Sequence, residues 1–226
     1  MRPELYSRDI VKRCQSLIDQ LGPLVERGLR DDVKFGGPLL TTFLLALATP
    51  MIVLPIERIF KPSRGGHTVA DDRELDTKIE AAVKDVFAEG KRFGDAPFVG
   101  AQRWSYVDSY RPFNIAKQCP PDLLQQLSSP EAAKRAREVE AKRILLDLRN
   151  ALAHGGVIYL DKNGRLTLRS TGMLAFAATR VKERKPVSIN VIRIPTEDFR
   201  AFLKDWASWL AGTKVPSLLN QEPIAA

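Results

Sequence analysis

Cysteine and histidine are scarce in this chain of 226 residues, which contains two of each. Cys14 and Cys119 lie far apart and fit neither a CxxC pair nor a zinc-binding spacing. Two lone thiols are typical of a reducing compartment and argue against a disulfide-stapled secreted fold. His67 and His154 are also far apart, and no carboxylate cluster surrounds the second. The sequence therefore offers no plausible metal site, and we expect no cofactor.

Several common catalytic motifs are absent as well. The sequence contains no GxSxG, no Walker phosphate-binding loop, no GxGxxG and no HExxH. These absences argue against the hydrolase, nucleotide-binding and metalloprotease classes that carry them. The N-terminal segment MRPELYSRDIVKRC has no apolar run that would act as a secretory signal, and we therefore expect a cytoplasmic protein.

One apolar run does occur, over residues 39–55, and it has to be distinguished from a membrane span. It reads LLTTFLLALATPMIVLP, contains Pro50 and Pro55, and is followed at once by Glu57 and Arg58. A membrane span needs ~20 apolar residues, and this run is shorter. We interpret it as a buried core helix and expect no membrane contact; membrane insertion is the less favoured alternative.

The charge of the chain points to a class of ligand. Lys and Arg number 35 against 27 Asp and Glu, which gives a formal net charge of +8. A basic surface favours polyanions such as nucleic acid, through long-range attraction and counterion release. The same charge also serves solubility alone, so charge by itself leaves these two explanations balanced.

Amphipathic helices are predicted on both sides of the apolar run. The first covers residues 4–29, with Gly22–Pro23 bending or interrupting it. The second covers residues 71–89, after a turn-rich loop over residues 61–70, and ends at Gly90. The predicted inner faces are Leu5, Val11, Leu17, Leu21 and Val25 for the first helix, and Leu75, Ile79, Ala82, Val83, Val86 and Phe87 for the second.

Helical periodicity fails between residues 94 and 119, where aromatic and basic residues alternate. We expect an irregular segment with short helical turns. The favoured interpretation is an aromatic loop packed on the helices. The alternative is a platform for unpaired bases, because single strands bind by stacking beside basic grooves. The candidate RNA-binding residues of that platform are Arg103, Trp104, Tyr106, Tyr110 and Arg111.

The second half of the chain begins with a strong helix-start signal. Ser129 is a good N-cap, and one long helix is predicted from there to the glycine pair Gly155–Gly156. A final helix runs from Thr196 to Gly212. Between the two helices the period changes to two, which predicts strands at residues 157–160 and 165–168 around an Asp161–Gly164 turn, and at residues 173–181 and 187–194.

The fold predicted from these elements is mainly α. It is a helical bundle with a small antiparallel β-sheet inserted over residues 157–195, before the C-terminal helix. We expect one domain over residues 1–212 and a flexible tail over residues 213–226.

Three polar residues at the end of the long helix form the main candidate site. Asn150 and His154 are four residues apart and share a helix face, and the side chain of Arg149 is long enough to curl around to it. A guanidinium can hold a phosphate through two parallel hydrogen bonds, and an imidazole moves protons near neutral pH. Together they suit internal attack by a ribose 2′-hydroxyl, which requires no metal.

A simpler explanation is available for the same residues. Side chains of this kind also cap the last carbonyls of a helix, and spacing alone favours that explanation. Glu57 and Arg58 are a possible accessory pair, although an ion pair that closes the apolar helix is the simpler interpretation.

The string LRNALAHG, residues 148–155, resembles the signature of HEPN domains (higher eukaryotes and prokaryotes nucleotide-binding). That signature is an Arg, a polar residue, a short spacer and a His near the end of a helix. The layout of residues 4–212 also resembles this family, with helices before the motif and a final helix after it. It is similar in particular to bacterial HEPN proteins with a strand insertion before the last helix.

The resemblance implies a metal-independent endoribonuclease that acts on RNA as a homodimer, with two motif helices meeting across a two-fold axis. Arg149 and His154 would be catalytic and Asn150 would support them. Many such proteins are toxins or anti-phage defence components, so an antitoxin or a nucleotidyltransferase is a possible partner. Other HEPN proteins only bind protein, nucleotide or RNA, so a non-catalytic module is the alternative.

Overall fold

A computed structural model describes residues 6–28, 39–60, 72, 77–167 and 171–212 of the chain. The predicted loop over residues 61–70, with His67, and the predicted tail over residues 213–226 lie outside the described residues. Leu5, Leu75 and the side chain of Ile79, which were predicted to be buried, also lie outside them. The domain boundary at residue 212 stays a prediction.

Helices form most of the described chain, and a small sheet lies before the last of them, so the predicted fold class is confirmed. The helix α2 continues into one turn of π-helix, Ile56–Phe60, and a 3₁₀ turn covers Phe93–Asp95. The elements in chain order are α1 (Tyr6–Glu26), α2 (Leu40–Pro55), α3 (Thr77–Val86), β1 (Ser105–Tyr110), α4 (Pro121–Leu127), α5 (Pro130–Glu138), α6 (Ala141–Ala153), β2 (Val157–Leu160), β3 (Met173–Lys182), β4 (Lys185–Pro195) and α7 (Thr196–Gly212).

The buried face of α1 differs from the predicted one. Leu17 and Leu21 are 41% and 40% exposed, and of the predicted inner stripe within α1 only Val11 is buried. The prediction was wrong because apolar residues lie on both faces of this helix, so periodicity alone could not choose between them. The face that packs against the rest of the protein is Ser7, Val11, Cys14, Ile18 and Gly22.

The apolar helix α2 packs against α1, α6 and α7, as expected for a core helix. The helical segment Leu40–Phe60 is nevertheless long and apolar enough to cross a membrane, and 44% of its most apolar stretch is buried. Pro55 has no N–H to donate to the carbonyl of Met51 one turn earlier. The indole N–H of Trp206 donates to that carbonyl instead, at 2.8 Å. This bond fixes α7 against the centre of the bundle.

The predicted long helix after Ser129 is broken into two. Ser129 does cap α5, because its hydroxyl accepts from the backbone N–H of Ala132 at 3.2 Å. Val139 and Glu140, however, adopt extended conformations between α5 and α6. The N–H of Phe93 donates to the carbonyl of Val139 at 2.7 Å, so a distant segment replaces helical hydrogen bonds at the break. The sequence carries no Gly or Pro there, and the break was not predicted.

The sheet has four antiparallel strands in the order β1-β4-β3-β2. The expectation of an irregular segment over residues 94–119 was wrong for Ser105–Tyr110, which form edge strand β1. The expected strand over residues 165–168 was also wrong within its described part. It makes one bridge, Leu160↔Leu166, whereas the ladder of β2 is with β3. The Asp161–Gly164 turn is present, with Asp161 Oδ1 accepting from the N–H of Asn163 at 2.8 Å.

The two faces of the sheet pack against different parts of the protein. Leu174, Phe176 and Ile192 face the core that contains α6 and α7. Ala177, Ile189 and Val191 face a second core with Leu123 and Leu127 of α4. Helix α6 therefore lies across one face of the sheet, and its C-terminal end reaches the edge beside β3.

Candidate functional site

The C-terminal end of α6 is fixed to the sheet by two glycines. Gly155 adopts a left-handed conformation with φ of 69°, and the N–H of Gly156 donates to the carbonyl of Ala151 at 2.7 Å. This is the helix-ending arrangement that the glycine pair predicted. The carbonyl of Gly156 also accepts from the N–H of Ala177 on β3, at 2.7 Å. A Cβ at Gly156 would lie 2.2 Å from the carbonyl oxygen of Ala177, so only glycine fits this approach.

Asp147 anchors the same helix from its buried side. Its carboxylate is 2% exposed and accepts from the hydroxyl of Tyr106 and from the amide of Asn190, both at 2.8 Å. Arg180 lies 3.5 Å from the second carboxylate oxygen. Burial raises the pKa of Asp147, against the opposing effect of these donors and charges. The network joins α6 to β1, β3 and β4, two residues before Arg149.

The guanidinium of Arg149 is held by two partners. One terminal nitrogen donates to Oδ1 of Asn150 at 2.6 Å, and the other pairs with a carboxylate oxygen of Glu57. The side chains of Arg149 and Glu57 are 23% and 25% exposed, so this pair lies at the surface of the bundle. Asn150 thus positions the arginine, and Glu57 reaches it from the π-helical turn after α2.

His154 is the residue that ends α6. Its φ of −112° departs from helical geometry, and its N–H donates to the carbonyl of Asn150 at 3.0 Å. The residue is exposed, so its imidazole is accessible to a ligand. Asn150 and His154 both line one end of a large cleft. The structure therefore brings the predicted residues together, with Asn150 linking the arginine to the cleft.

The HEPN pEK499 p136 family model matches residues 1–216 of the chain. The chain belongs to this HEPN family. HEPN domains are commonly ribonucleases or nucleotide-binding modules. No curated protein and no solved structure matches the chain.

Other residues singled out from the sequence lie away from the motif of this HEPN domain. Arg58 pairs with Asp72 at 2.7 Å. Arg103 is exposed but pairs with Glu197 and Asp198 at the start of α7. The structure thus gives both arginines partners that stabilise the fold.

The aromatic residues proposed as a base-stacking platform are buried in the HEPN domain. Trp104 is 4% exposed, Tyr106 is 1% exposed and Tyr110 is 7% exposed. Arg111 is exposed, pairs with Asp122 at 3.2 Å and lies over the ring of Tyr110. The packed-aromatic interpretation therefore describes the three rings, because protein atoms cover the surfaces that a base would need.

Two groups of residues were missed from the sequence. Asp147 carried a usable signal, because an acid on the apolar face of an amphipathic helix has to find buried donors. The cleft walls include Phe113, which the alternating aromatic pattern contained, and Val181; that the two line one space could not be predicted, because it depends on the pairing of β1 and β3 with β4.

Proposed function

We propose that this HEPN protein is a metal-independent endoribonuclease that cleaves single-stranded RNA. The observation that carries the proposal is the placement of Arg149 and His154 at one accessible helix end, with the arginine oriented by Asn150 and Glu57. The basic balance of the chain, with a net charge of +8, supports a polyanionic substrate.

Each residue has a defined chemical role in this reaction. Arg149 holds the scissile phosphate and offsets negative charge as it develops on the phosphoryl oxygens. His154 moves a proton to or from the reacting oxygens. The 2′-oxygen forms a bond to phosphorus, the bond from phosphorus to the 5′-oxygen breaks, and the proton lost by the 2′-hydroxyl is balanced by one gained at the 5′-oxygen. Asn150 and Glu57 are positioning residues for the guanidinium.

A homodimer suits this chemistry better than a single copy. The reaction needs one group to remove a proton and another to supply one, and His154 is the single histidine in the part of the chain that the structure describes. Two copies of α6 meeting across a two-fold axis would supply two imidazoles. We further propose a cytoplasmic toxin or anti-phage role without membrane contact, with an antitoxin or a nucleotidyltransferase as partner.

The test is cleavage of labelled RNA by the purified protein in excess EDTA. The wild type should cut RNA and leave DNA of the same sequence intact, because DNA lacks the attacking hydroxyl. Arg149→Lys should lose activity, because an ammonium cannot reproduce the planar two-point grip. Arg137→Lys, at an exposed arginine on α5, is the matched control and should cut normally. Cleavage that disappears with EDTA, or that persists in His154→Ala, would contradict the proposal.

One observation favours a second candidate function. Arg149 already pairs with the carboxylate of Glu57, which neutralises part of the positive charge that would offset the negative charge developing on the phosphoryl oxygens during cleavage. A domain that binds RNA or a nucleotide without cutting it would tolerate that arrangement. RNA binding by the wild type with no cleavage under any metal-free or metal-containing condition would favour this candidate.

A further inference from the structure

A cleft of about 1070 Å³ opens beside the end of α6. Asn150, His154 and the two glycines that follow form one end of it. Ala177, Ala178 and Ile189 are buried and form its floor. We call this space the hairpin cleft, because the β3–β4 hairpin supplies most of one wall.

The hairpin cleft exists because β2 is shorter than β3. The ladder between the two strands ends at Val157↔Phe176, and one further bond joins Gly156 to Ala177. Beyond that point β3 continues to Lys182 with no strand on its β2 side among the described residues. The hairpin therefore projects past the end of α6, and the space between them is open beside His154.

The walls of the hairpin cleft are largely apolar. Phe113 and Ile115 line it from the loop after β1, and Val181 and Pro186 line it from the hairpin. The ring of Phe113 packs edge-on against Tyr110, with ring centroids 5.9 Å apart, which holds it in place at the wall. Among the described residues that line it there is no Asp or Glu. Flat apolar groups fit such walls, and the volume exceeds what one nucleobase needs.

The rims of the hairpin cleft are basic. Lys117 is exposed on the loop, one residue after the lining residue Ala116. Lys182, Arg184 and Lys185 are exposed on the hairpin, against a single acid, Glu183. An apolar slot between cationic rims is the arrangement that binds single-stranded nucleic acid, because bases stack while phosphates meet the charges.

We propose that the hairpin cleft binds an unpaired nucleobase of single-stranded RNA, next to the phosphate held at the end of α6. The proposal rests on the proposed ribonuclease function, and it assigns substrate positioning to the inserted sheet. Phe113 stacks on the base, Val181 closes the opposite wall, and the hairpin cations contact the flanking phosphates. The base held in the cleft then places the adjacent phosphate at the end of α6.

The first test uses two exposed valines on the same hairpin. Val181 lines the cleft and is 63% exposed, whereas Val187 does not line it and is 52% exposed. Both positions accept a glutamate without loss of folding, because neither is buried. The probe is a fluorescent 2′-O-methyl oligouridylate of about ten nucleotides, which spans an ordinary single-strand site and cannot undergo internal attack. Fluorescence anisotropy measures its Kd.

Val181→Glu should weaken binding about tenfold, because its carboxylate stands where the base and phosphate approach. Val187→Glu should change the Kd by less than about threefold, since residue 187 is 52% exposed and does not line the cleft, so its carboxylate adds charge without obstructing the base. Equal effects of the two variants would overturn the proposal, because they would show that only net charge matters.

The second test separates base stacking from charge. The wild type should bind the oligouridylate about tenfold more tightly than a sugar-phosphate oligomer of the same length that lacks every base. Phe113→Ala should remove that preference while its circular dichroism spectrum matches the wild type. Equal binding of the two probes by the wild type would overturn the proposal, and so would binding of neither.

Cleavage of ordinary RNA by the wild type is measured separately, so the two proposals fail independently. Cleavage together with unchanged binding by Val181→Glu and Phe113→Ala would overturn the hairpin cleft as a base site and leave the ribonuclease assignment standing. Selective loss of binding in those variants, with no cleavage by the wild type, would support the cleft and contradict the ribonuclease assignment.

Discussion

Helix α6 carries two polar clusters that differ in their burial and in their access to ligands. Asp147 is buried and accepts hydrogen bonds from two side chains, so it holds the helix on the sheet. Arg149, Asn150 and His154 follow within seven residues of it and reach the surface, where ligands have access. A buried polar group has to be satisfied within the fold, whereas an exposed one is available for chemistry. The comparison predicts that the buried cluster around Asp147 supports stability and that the exposed cluster supports activity.

The largest expected effect is on the exposed cluster. His154→Ala should lower the rate of RNA cleavage by ~10²–10⁴, the usual contribution of a proton-transferring side chain. The free energy of unfolding should change by less than ~0.5 kcal/mol, because the residue is exposed. Single-turnover cleavage and urea unfolding measure the two quantities. A large loss of stability would contradict the separation of roles.

Asp147→Ala, in the buried cluster, should mainly lower the stability of the protein. It should destabilise the protein by ~3 kcal/mol, because the Tyr106 hydroxyl and the Asn190 amide lose a buried partner. Asp147→Asn keeps an acceptor oxygen and should cost less. Asp85→Ala, at a side chain that is 71% exposed, serves as the control and should leave the unfolding midpoint nearly unchanged. Equal costs for Asp147→Ala and the control would show that the network does not hold α6.

Gly156 fixes the end of α6 to β3, so its substitution should affect both stability and activity. Gly156→Ala places a methyl group against the carbonyl oxygen of Ala177, and relief of that clash should cost ~2 kcal/mol. Movement of the helix end should also lower the cleavage rate. Gly212→Ala, where nothing lies within 4 Å of the added Cβ, is the matched control. Normal activity in Gly156→Ala would mean that the docking of the helix end is not needed.

A smaller effect tests the helix that precedes α6. Ser129→Ala removes the hydroxyl that caps α5 and should destabilise the protein by ~1 kcal/mol. Cleavage should be unaffected, since α5 and α6 are separated by the extended residues at Val139–Glu140. Ser208→Ala, at an exposed position within α7, should change neither quantity. Thermal unfolding followed by circular dichroism measures the difference.

The smallest effect concerns pH and the acids around α6. Partial burial opposes the ionisation of Asp108, but Arg135 at 2.8 Å and Arg143 at 3.4 Å prevail and lower its pKa. Its contribution to stability is therefore present above the unfolded-state pKa of ~3.9 and is lost as pH falls through the lower folded value. Asp108→Asn should make the acid side of the stability curve shallower.

The pH dependence of stability that Asp147 contributes should have the opposite sign. Because burial raises its pKa, its ionisation costs stability as pH rises from the unfolded value through the folded value. Asp147→Asn should remove that decline, as measured by urea unfolding across the acid range. The same slope change in both variants would contradict the difference between the two acids.

The sequence predicted the elements that rest on local signals. The cap at Ser129, the glycine stop after His154 and the alternation of β3 and β4 each depend on nearby residues, and all appear in the structure. Features that depend on distant segments were missed. The break at Val139 requires Phe93, and strand β1 requires β4 as its neighbour.

In the candidate site, too, contacts within one element could be predicted and contacts between distant segments could not. The Arg149-Asn150 contact lies within one helix turn and could be predicted. Its extension to Glu57 depends on the π-helical turn, which places Glu57 toward Arg149 and Arg58 toward Asp72. The hairpin cleft depends on strand lengths, which periodicity does not fix.

The late position of Asn190 in the chain has a consequence for the order in which the protein matures. Domains form from the N-terminal side during synthesis, and the residues that fasten α6 to the sheet come mostly after it in the chain. Until β3 has left the ribosome, the end of α6 lacks its support on that strand, and until β4 has followed, Asp147 lacks its amide partner. The growing polypeptide therefore carries the motif before the residues that support it have been made, so the site is completed only late in synthesis.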